Sequence, residues 1–399
     1  MVVSLNGADN VGKTTQIGLL PRSLAVHLAP KLQESDERLR SMEQNHTRRK
    51  WWWDSSHEDF VSTLFAAVAS RFRDSLNKPD VTITVHDRGT IMFQAVATAM
   101  IATKSDNHDL GNARSKFTEI IKRQKIYMPE EKLKILLKHS TNLEESISIS
   151  LEREERIFEE RYRLYQALLQ TELQHQESQG LYDHVVFASK SLEIRTVQDQ
   201  IRSIINRYLD YPLFKPVMHN IECIYAFDGL TKSGKSSLAD GLCSHYGSGL
   251  AFRGKIIYFA DQASEKIGKS IQGCSQQEQA VYLFHELEKF THAHYWLKTL
   301  TVESLHWYEC TVWLQKLLDD KLRIIFVDTS KTERLRRSVV SPHSLEAHDT
   351  MKIQRGADRI RHHADLILDN NGPYLTTVQT LVEFSGGNTA LQALNKNST

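Results

Sequence analysis

The sequence predicts an α/β protein made of two consecutive domains, each a parallel sheet sandwiched by helices. Three observations predict it. A glycine-rich octapeptide occurs twice, at 7–14 and 229–236, each time directly after an apolar run and directly before a helical one. Runs rich in β-branched residues alternate with helix-period runs, as in parallel strands joined by helical crossovers. The stretch Tyr211-Pro212-Leu213-Phe214-Lys215-Pro216 breaks the pattern once, after which it restarts. The layout is therefore a first domain over 1–210, a linker over 211–220, a second domain over 221–385 and a polar tail over 386–399.

The elements follow in order. Val2-Val3-Ser4-Leu5 is a buried strand, followed by the glycine-rich turn and a helix from about Lys13. Further strands are expected at Val81–Val85, Lys132–Lys138 and His184–Phe187, and helices at Phe60–Ser75, Ile91–Ala102, Leu151–Gln176 and Thr196–Tyr208. In the second half the expected strands are Ile221–Phe227, Lys255–Ala260, Arg323–Val327 and Ala364–Leu368, with one long helical stretch over Gln276–Asp319. The halves read as two copies of one architecture.

Composition narrows the function classes. The chain has 399 residues, 25% charged and 40% hydrophobic, with 50 Lys+Arg against 49 Asp+Glu. These values exclude a fibrous or wholly disordered chain. Residues 1–210 carry 29 basic and 29 acidic side chains and residues 211–399 carry 21 and 20. Neither half is a basic module, so nucleic acid is not held by bulk charge and a phosphate ligand needs a local site. The four cysteines, Cys223, Cys243, Cys274 and Cys310, are widely spaced and read as free thiols of a reducing, cytoplasmic compartment. Phe60–Phe72 and Ile91–Thr103 are too short and too polar to cross a membrane. A monomer and a homodimer are both left open.

Gly7-Ala8-Asp9-Asn10-Val11-Gly12-Lys13-Thr14 and Gly229-Leu230-Thr231-Lys232-Ser233-Gly234-Lys235-Ser236 both fit G-x-x-x-x-G-K-[ST]. The glycines let the backbone curl until several N–H groups point at one phosphate, and the following helix adds its positive end. Lys13 and Lys235 are expected to reach the β- and γ-phosphates of ATP. Thr14 and Ser236 are expected to ligate Mg²⁺, with Thr15 and Ser237 next to them in the cradle. The fold class expected is two tandem P-loop NTPase domains.

The first half resembles the thymidylate kinases. The resemblance rests on the acidic third loop residue Asp9, on Asp87-Arg88 at the end of a strand, on Thr63-Leu64-Phe65-Ala66-Ala67, on the helix around Phe158-Glu159 and Tyr162-Arg163-Leu164-Tyr165, and on Phe187–Glu193. It covers most of residues 1–207. It implies that Asp9 faces a nucleoside monophosphate, that Asp87 helps to hold Mg²⁺ and that Arg88 clamps the acceptor phosphate. It also implies that Arg153, Arg156 and Arg161 bring mobile charge over the transferring group. Two departures stand out: Gly89-Thr90 follows Asp87-Arg88 where the family has an aromatic residue, and Val68-Ala69 stand where it has an arginine. Arg71 and Arg73 come later and are candidate substitutes at the substrate. Arg48-Arg49-Lys50-Trp51-Trp52-Trp53 reads either as a stacking surface for a base or as an apolar cover. The cover is favoured, with the three rings not all facing one core.

The second half is similar to small nucleotide and small-molecule kinases of the cytidylate kinase and dephospho-coenzyme A kinase type, on Phe227–Ala239 and on Gln354-Arg355 with Ala364–Gly372. No Asp-Arg pair follows. Asp261, after the expected strand Lys255–Ala260, is the candidate acid for an acceptor hydroxyl. Asp328 is placed near the metal, and Arg334, Arg336 and Arg337 are candidate lid residues. His292-x-His294 and His362-His363 lack a third ligand cluster at metal spacing, and His294, Trp296, His306, Trp307, Tyr308 and Trp313 read as an aromatic-rich helical insert.

The expected function is an ATP- and Mg²⁺-dependent phosphotransferase. The first domain acts on a nucleoside monophosphate, dTMP or a related pyrimidine nucleotide, and the second has an unassigned acceptor. Two alternatives stay open: a kinase for a hydroxyl within nucleic acid, and a second domain that binds nucleotide without turnover.

Overall fold

The computed structural model describes all residues except 21–24, 78–80, 153–159, 189–192, 211, 248, 306, 338–340 and 387–399. The chain forms two compact units, Met1–Phe214 and Lys215–Thr399. Among the described residues each unit contains one five-stranded sheet, parallel throughout.

In the first unit the strands are β1 (Val2–Asn6), β2 (Val26–Leu28), β3 (Ile83–Asp87), β4 (Leu133–Lys138) and β5 (His184–Phe187), in the spatial order β2-β3-β1-β4-β5. β1 is buried at all five positions because it pairs on both sides, Val3 with Val85 and with Leu133. A continuous apolar run is what a strand covered on both faces requires. One face packs Leu5, Val85 and Ile135 against Ile201 and Ile205 of the helix Ile194–Asn206. The other is covered by a layer in which the helix Thr90–Thr103 is buried almost all round, against Glu160–Ser178, Leu110–Gln124 and His57–Leu76. Its alanines, Ala95, Ala97, Ala99 and Ala102, let the backbones approach closely.

The second unit repeats the topology with β6 (Cys223–Asp228), β7 (Ala251–Lys255), β8 (Thr299–Glu303), β9 (Leu322–Asp328) and β10 (Leu366–Asp369), ordered β10-β9-β6-β8-β7. Read from the other edge this is the order of the first sheet, with each glycine-rich loop leaving the central strand. Within the first unit Leu213 and Phe214 donate their amides to Asn206 Oδ1, and within the second Lys321 Nζ donates to Met218 O.

Two expectations are corrected. Lys255–Ala260 is not a strand: β7 ends at Lys255 and Ile256–Ile267 is a helix. The apolar run Ile256-Ile257-Tyr258-Phe259-Ala260 has strand-like composition, yet only Ile256, Phe259 and Ala260 are buried, a helical spacing. The stretch Gln276–Asp319 is not one helix. It is the helix Gln276–Ala293, the strand β8 and the helix Tyr308–Leu318. β8 was hidden because Thr299, Thr301 and Glu303 are polar, although all five of its residues are buried. Among the described residues no helix is long and apolar enough to cross a membrane.

Candidate functional site

Both glycine-rich loops take the same backbone shape. Gly7, Asn10 and Gly12 have φ values of 137°, 62° and 94°, and Gly229, Lys232 and Gly234 have 140°, 63° and 96°. These angles favour glycine, and the first position of each loop is also closed to a side chain. A Cβ on Gly7 would run into the carbonyl of Leu137, and one on Gly229 would stand 2.5 Å from Val327 O. Gly12 and Gly234 then start the helices Lys13–Gly18 and Lys235–His245, whose free N–H groups point into the loop. Lys13 Nζ donates to Gly7 O and Ala8 O at 2.9 and 2.6 Å, and Lys235 Nζ donates to Gly229 O and Leu230 O at 2.9 and 2.8 Å. Burial pushes both ammonium groups down, Lys13 to about 8 and Lys235 to about 7, the latter also by the charge of Lys352. Val11 belongs to the core, Asn10 Nδ2 donates to Ser150 O, and Thr15 and Ser237 lie in the first turns of the helices. Thr231 N donates to Asp349 Oδ1, and Ser233 O accepts from Thr329 Oγ1 and Asn370 Nδ2.

At the C-terminal end of β3, Thr14 Oγ1 donates to Asp87 Oδ2 at 3.2 Å, while Asp87 Oδ1 is buried without a hydrogen-bond partner. A hydroxyl and a carboxylate with one unpartnered oxygen, next to an ammonium, form a donor set that fits Mg²⁺. Asp9 pairs with Arg88 and accepts from Gln166 Nε2 at 2.7 Å and Tyr162 OH at 3.3 Å. Burial alone would raise the Asp9 carboxyl, but the charges of Arg88 and Lys13 and the hydrogen bonds from Gln166 and Arg88 hold it at about 2. Since the folded state keeps Asp9 ionised, its contribution to stability is full above the ordinary value of 3.8 and fades as pH falls through about 2. Urea midpoints of wild type should therefore drop across that window, and Asp9→Asn should flatten the drop; an unchanged slope would refute the pairing.

Arg71 is not at a substrate surface. It is 2% exposed and donates Nη1 to Asp87 O at 3.1 Å and Nη2 to Arg88 O at 2.5 Å, with its guanidinium 5.4 Å from the Phe93 ring centroid. It holds the Asp87–Arg88 backbone from behind. Arg88 itself sits at φ 66°. The glycine after it has a packing reason. A Cβ on Gly89 would lie 2.6 Å from Ser4 Cβ and 2.9 Å from Glu131 Cδ, and its amide donates to Asn6 Oδ1 at 2.8 Å. Gly89→Ala should cost about 1–3 kcal/mol by overpacking; an unchanged urea midpoint would contradict this.

Arg161 departs from its expected position over the phosphates. Its Nη2 donates to Trp53 O at 2.7 Å and its guanidinium lies 5.1 Å from the Trp53 ring centroid. Arg153 and Arg156 lie outside the described residues, as do Phe158, Glu159 and residues 189–192. The three tryptophans do meet one core, contrary to the sequence reading. Trp51 stacks on Phe60 at 5.0 Å, Trp52 meets Phe60 and Tyr165 edge-on, and Trp53 meets Tyr165 edge-on.

In the second unit Asp261 is exposed within the helix Ile256–Ile267 and does not end a strand. The carboxylate at the corresponding strand end is Glu303, which sequence reasoning missed together with β8. Ser236 Oγ donates to Glu303 Oε2 at 2.5 Å, as Thr14 does to Asp87. The available signal was the second loop itself, whose hydroxyl calls for a carboxylate at the end of a strand beside the central one. Arg334 is not a lid residue: it is 4% exposed and paired with Asp349 at 2.6 Å. Arg336 and Arg337 both pair with Glu333, and Asp328 pairs with Arg361 at 2.8 Å. His294 stacks on Phe290, and His363 shares a hydrogen bond with Gln315.

No protein-family model matches the chain. No curated protein matches it either. Solved structures similar to it include a deoxyadenosine kinase from M. mycoides with bound dATP, at 13% identity and TM-score 0.34, covering 52% of this chain and 100% of that one. A thymidylate kinase from Candida albicans is similar at 16% identity and TM-score 0.35, covering 52% and 91%. A shikimate kinase from Aquifex aeolicus vf5 is similar at 14% identity and TM-score 0.25, covering 42% and 98%.

Proposed function

We propose that the first unit transfers the γ-phosphoryl group of ATP to a nucleoside monophosphate, dTMP or a related pyrimidine nucleotide. The observation that carries this reading is the convergence of Lys13, Thr14, Asp87, Arg88 and Asp9 at the C-terminal ends of β1 and β3. Ligands of open parallel sheets bind at such strand ends.

The chemistry follows from those groups. The loop amides and Lys13 hold the donor phosphates in line. Thr14 and Asp87 would hold Mg²⁺, which, when bound, neutralises charge on the β- and γ-phosphate oxygens. Arg88 fixes the acceptor phosphate, and Asp9 orients Arg88 through their ion pair. An acceptor phosphate oxygen then bonds to the γ-phosphorus as the bond to the β-bridging oxygen breaks, giving ADP and a nucleoside diphosphate. Little covalent work falls to the protein, so positioning and charge supply the rate. The second unit is read as a phosphate-binding module with its own loop.

Purified protein with ATP and Mg²⁺ should convert at least one nucleoside monophosphate, with dTMP the first to try, to its diphosphate by mass detection. No diphosphate from any acceptor would end this reading.

A further inference from the structure

The metal-facing carboxylates of the two units differ. In the first unit Asp87 keeps one oxygen without a hydrogen-bond partner. In the second, both oxygens of Glu303 are engaged: Oε2 by Ser236 Oγ and Oε1 by Arg253 Nε, each at 2.5 Å. Arg253, on the edge strand β7, also donates Nη1 to both oxygens of Asp240, at 3.0 and 2.8 Å. Asp240 stands one helical turn beyond Ser236. The Glu303 side chain is 5% exposed, so its charge needs a partner inside the protein. A permanently charged guanidinium is that partner.

A divalent cation needs open carboxylate oxygen. To reach Oε1 of Glu303 it would have to displace Arg253 from two carboxylates, and Oε2 is already taken by Ser236. Ser236 and Glu303 as arranged do not fit Mg²⁺. The same loop has a further fixed cation. Lys352, on the helix Pro342–Gln354, donates Nζ to Gly229 O at 3.4 Å, the carbonyl that also accepts from Lys235. Two ammonium groups gathered on one loop carbonyl, with the buried Asp228 carboxylate facing both, leave a net positive charge that suits an anion.

We propose that the second unit binds the phosphates of a nucleotide without a divalent cation, Lys235 and Lys352 meeting the phosphate charge while Arg253 neutralises Glu303. The unit is then a nucleotide-binding module and not a Mg²⁺-dependent phosphotransferase. This rests on the reading of the second loop as phosphate-binding.

The test is calorimetric titration of ATP into the full Lys13→Ala chain, once with excess Mg²⁺ and once with EDTA. Equal affinity in both is expected. On the same background Arg253→Met should make binding Mg²⁺-dependent, tighter with the metal by about tenfold or more, the size of a charge-assisted contact. Arg253→Lys should keep the parent behaviour. Binding with Mg²⁺ that vanishes in EDTA overturns the metal-free proposal and spares the loop. No binding in either condition overturns both, and leaves the first unit's reading to be judged on Lys235→Ala. Should Arg253→Met fail to fold by circular dichroism, the comparison on the Lys13→Ala chain decides alone.

Discussion

Lys13→Ala should cut ATP-dependent diphosphate formation by about 10²–10³-fold, the usual effect of removing one donor aimed at developing charge. Lys235→Ala should leave that reaction unchanged. Lys13 is 5% exposed and seated on two loop carbonyls, so its ammonium is already fixed where the donor phosphates are proposed to lie. A positioned cation in a partly dry site acts strongly because it needs no reorganisation during transfer. The positive φ angles of the loop belong to Gly7, Asn10 and Gly12, but the variant leaves the carbonyls of Gly7 and Ala8 without their donor. Its unfolding midpoint should therefore fall modestly, and the rate is compared without urea at a temperature where circular dichroism shows it folded. Equal losses in Lys13→Ala and Lys235→Ala would break the assignment of transfer to the first unit, and a retained rate in Lys13→Ala would remove Lys13 from the chemistry.

Arg71→Ala is expected to destabilise the first unit by about 3–5 kcal/mol, the scale for losing a buried charged group with its hydrogen bonds. Arg71 is among the largest fully buried side chains, and its removal leaves the carbonyls of Asp87 and Arg88 without their donor. Truncation also opens a void beside Phe93. Arg73, two residues on, is exposed, and Arg73→Ala should stay within about 0.5 kcal/mol. Urea unfolding of the two variants provides the comparison. If Arg71→Ala unfolds like wild type yet weakens acceptor binding, Arg71 belongs to the substrate after all.

The contrast between Arg71 and Arg73 shows what a sequence conceals. The helix His57–Leu76 was legible from its period, but which arginine turned inward depends on the strand end it meets, a contact across 16 residues of chain. The two loops were legible because their conformation is local: glycine at fixed offsets, then Lys and Thr or Ser. β1, β4 and β6 were legible because burial on both faces demands unbroken apolar runs. β2 was missed because Val26–Leu28 has only three residues, too few to show a pattern. β8 was missed because its threonines and glutamate are buried by their neighbours and not by their own hydrophobicity, and Glu303 was lost with it. Asp261 was chosen for following an apolar run, and that run proved to be the start of a helix. Arg161 is placed over the phosphates only by the resemblance of its helix, while its partner Trp53 lies 108 residues away.

The strand order has a consequence for biogenesis. β1 ends at Asn6, but its partners β3 and β4 begin at Ile83 and Leu133. At roughly 5–20 residues per second, a ribosome takes on the order of ten seconds to supply the second of them. Until then an apolar strand destined for the middle of a sheet has no lasting mate, and a nascent chain in that condition depends on chaperone cover. A second central strand, β6, emerges only after β5 and the helix Ile194–Asn206 have been made. Vectorial synthesis thus separates in time two assemblies of the same rank, which during refolding from denaturant would compete for each other's edges. Recovery after dilution from urea should accordingly be poorer for the whole chain than for its first unit expressed alone.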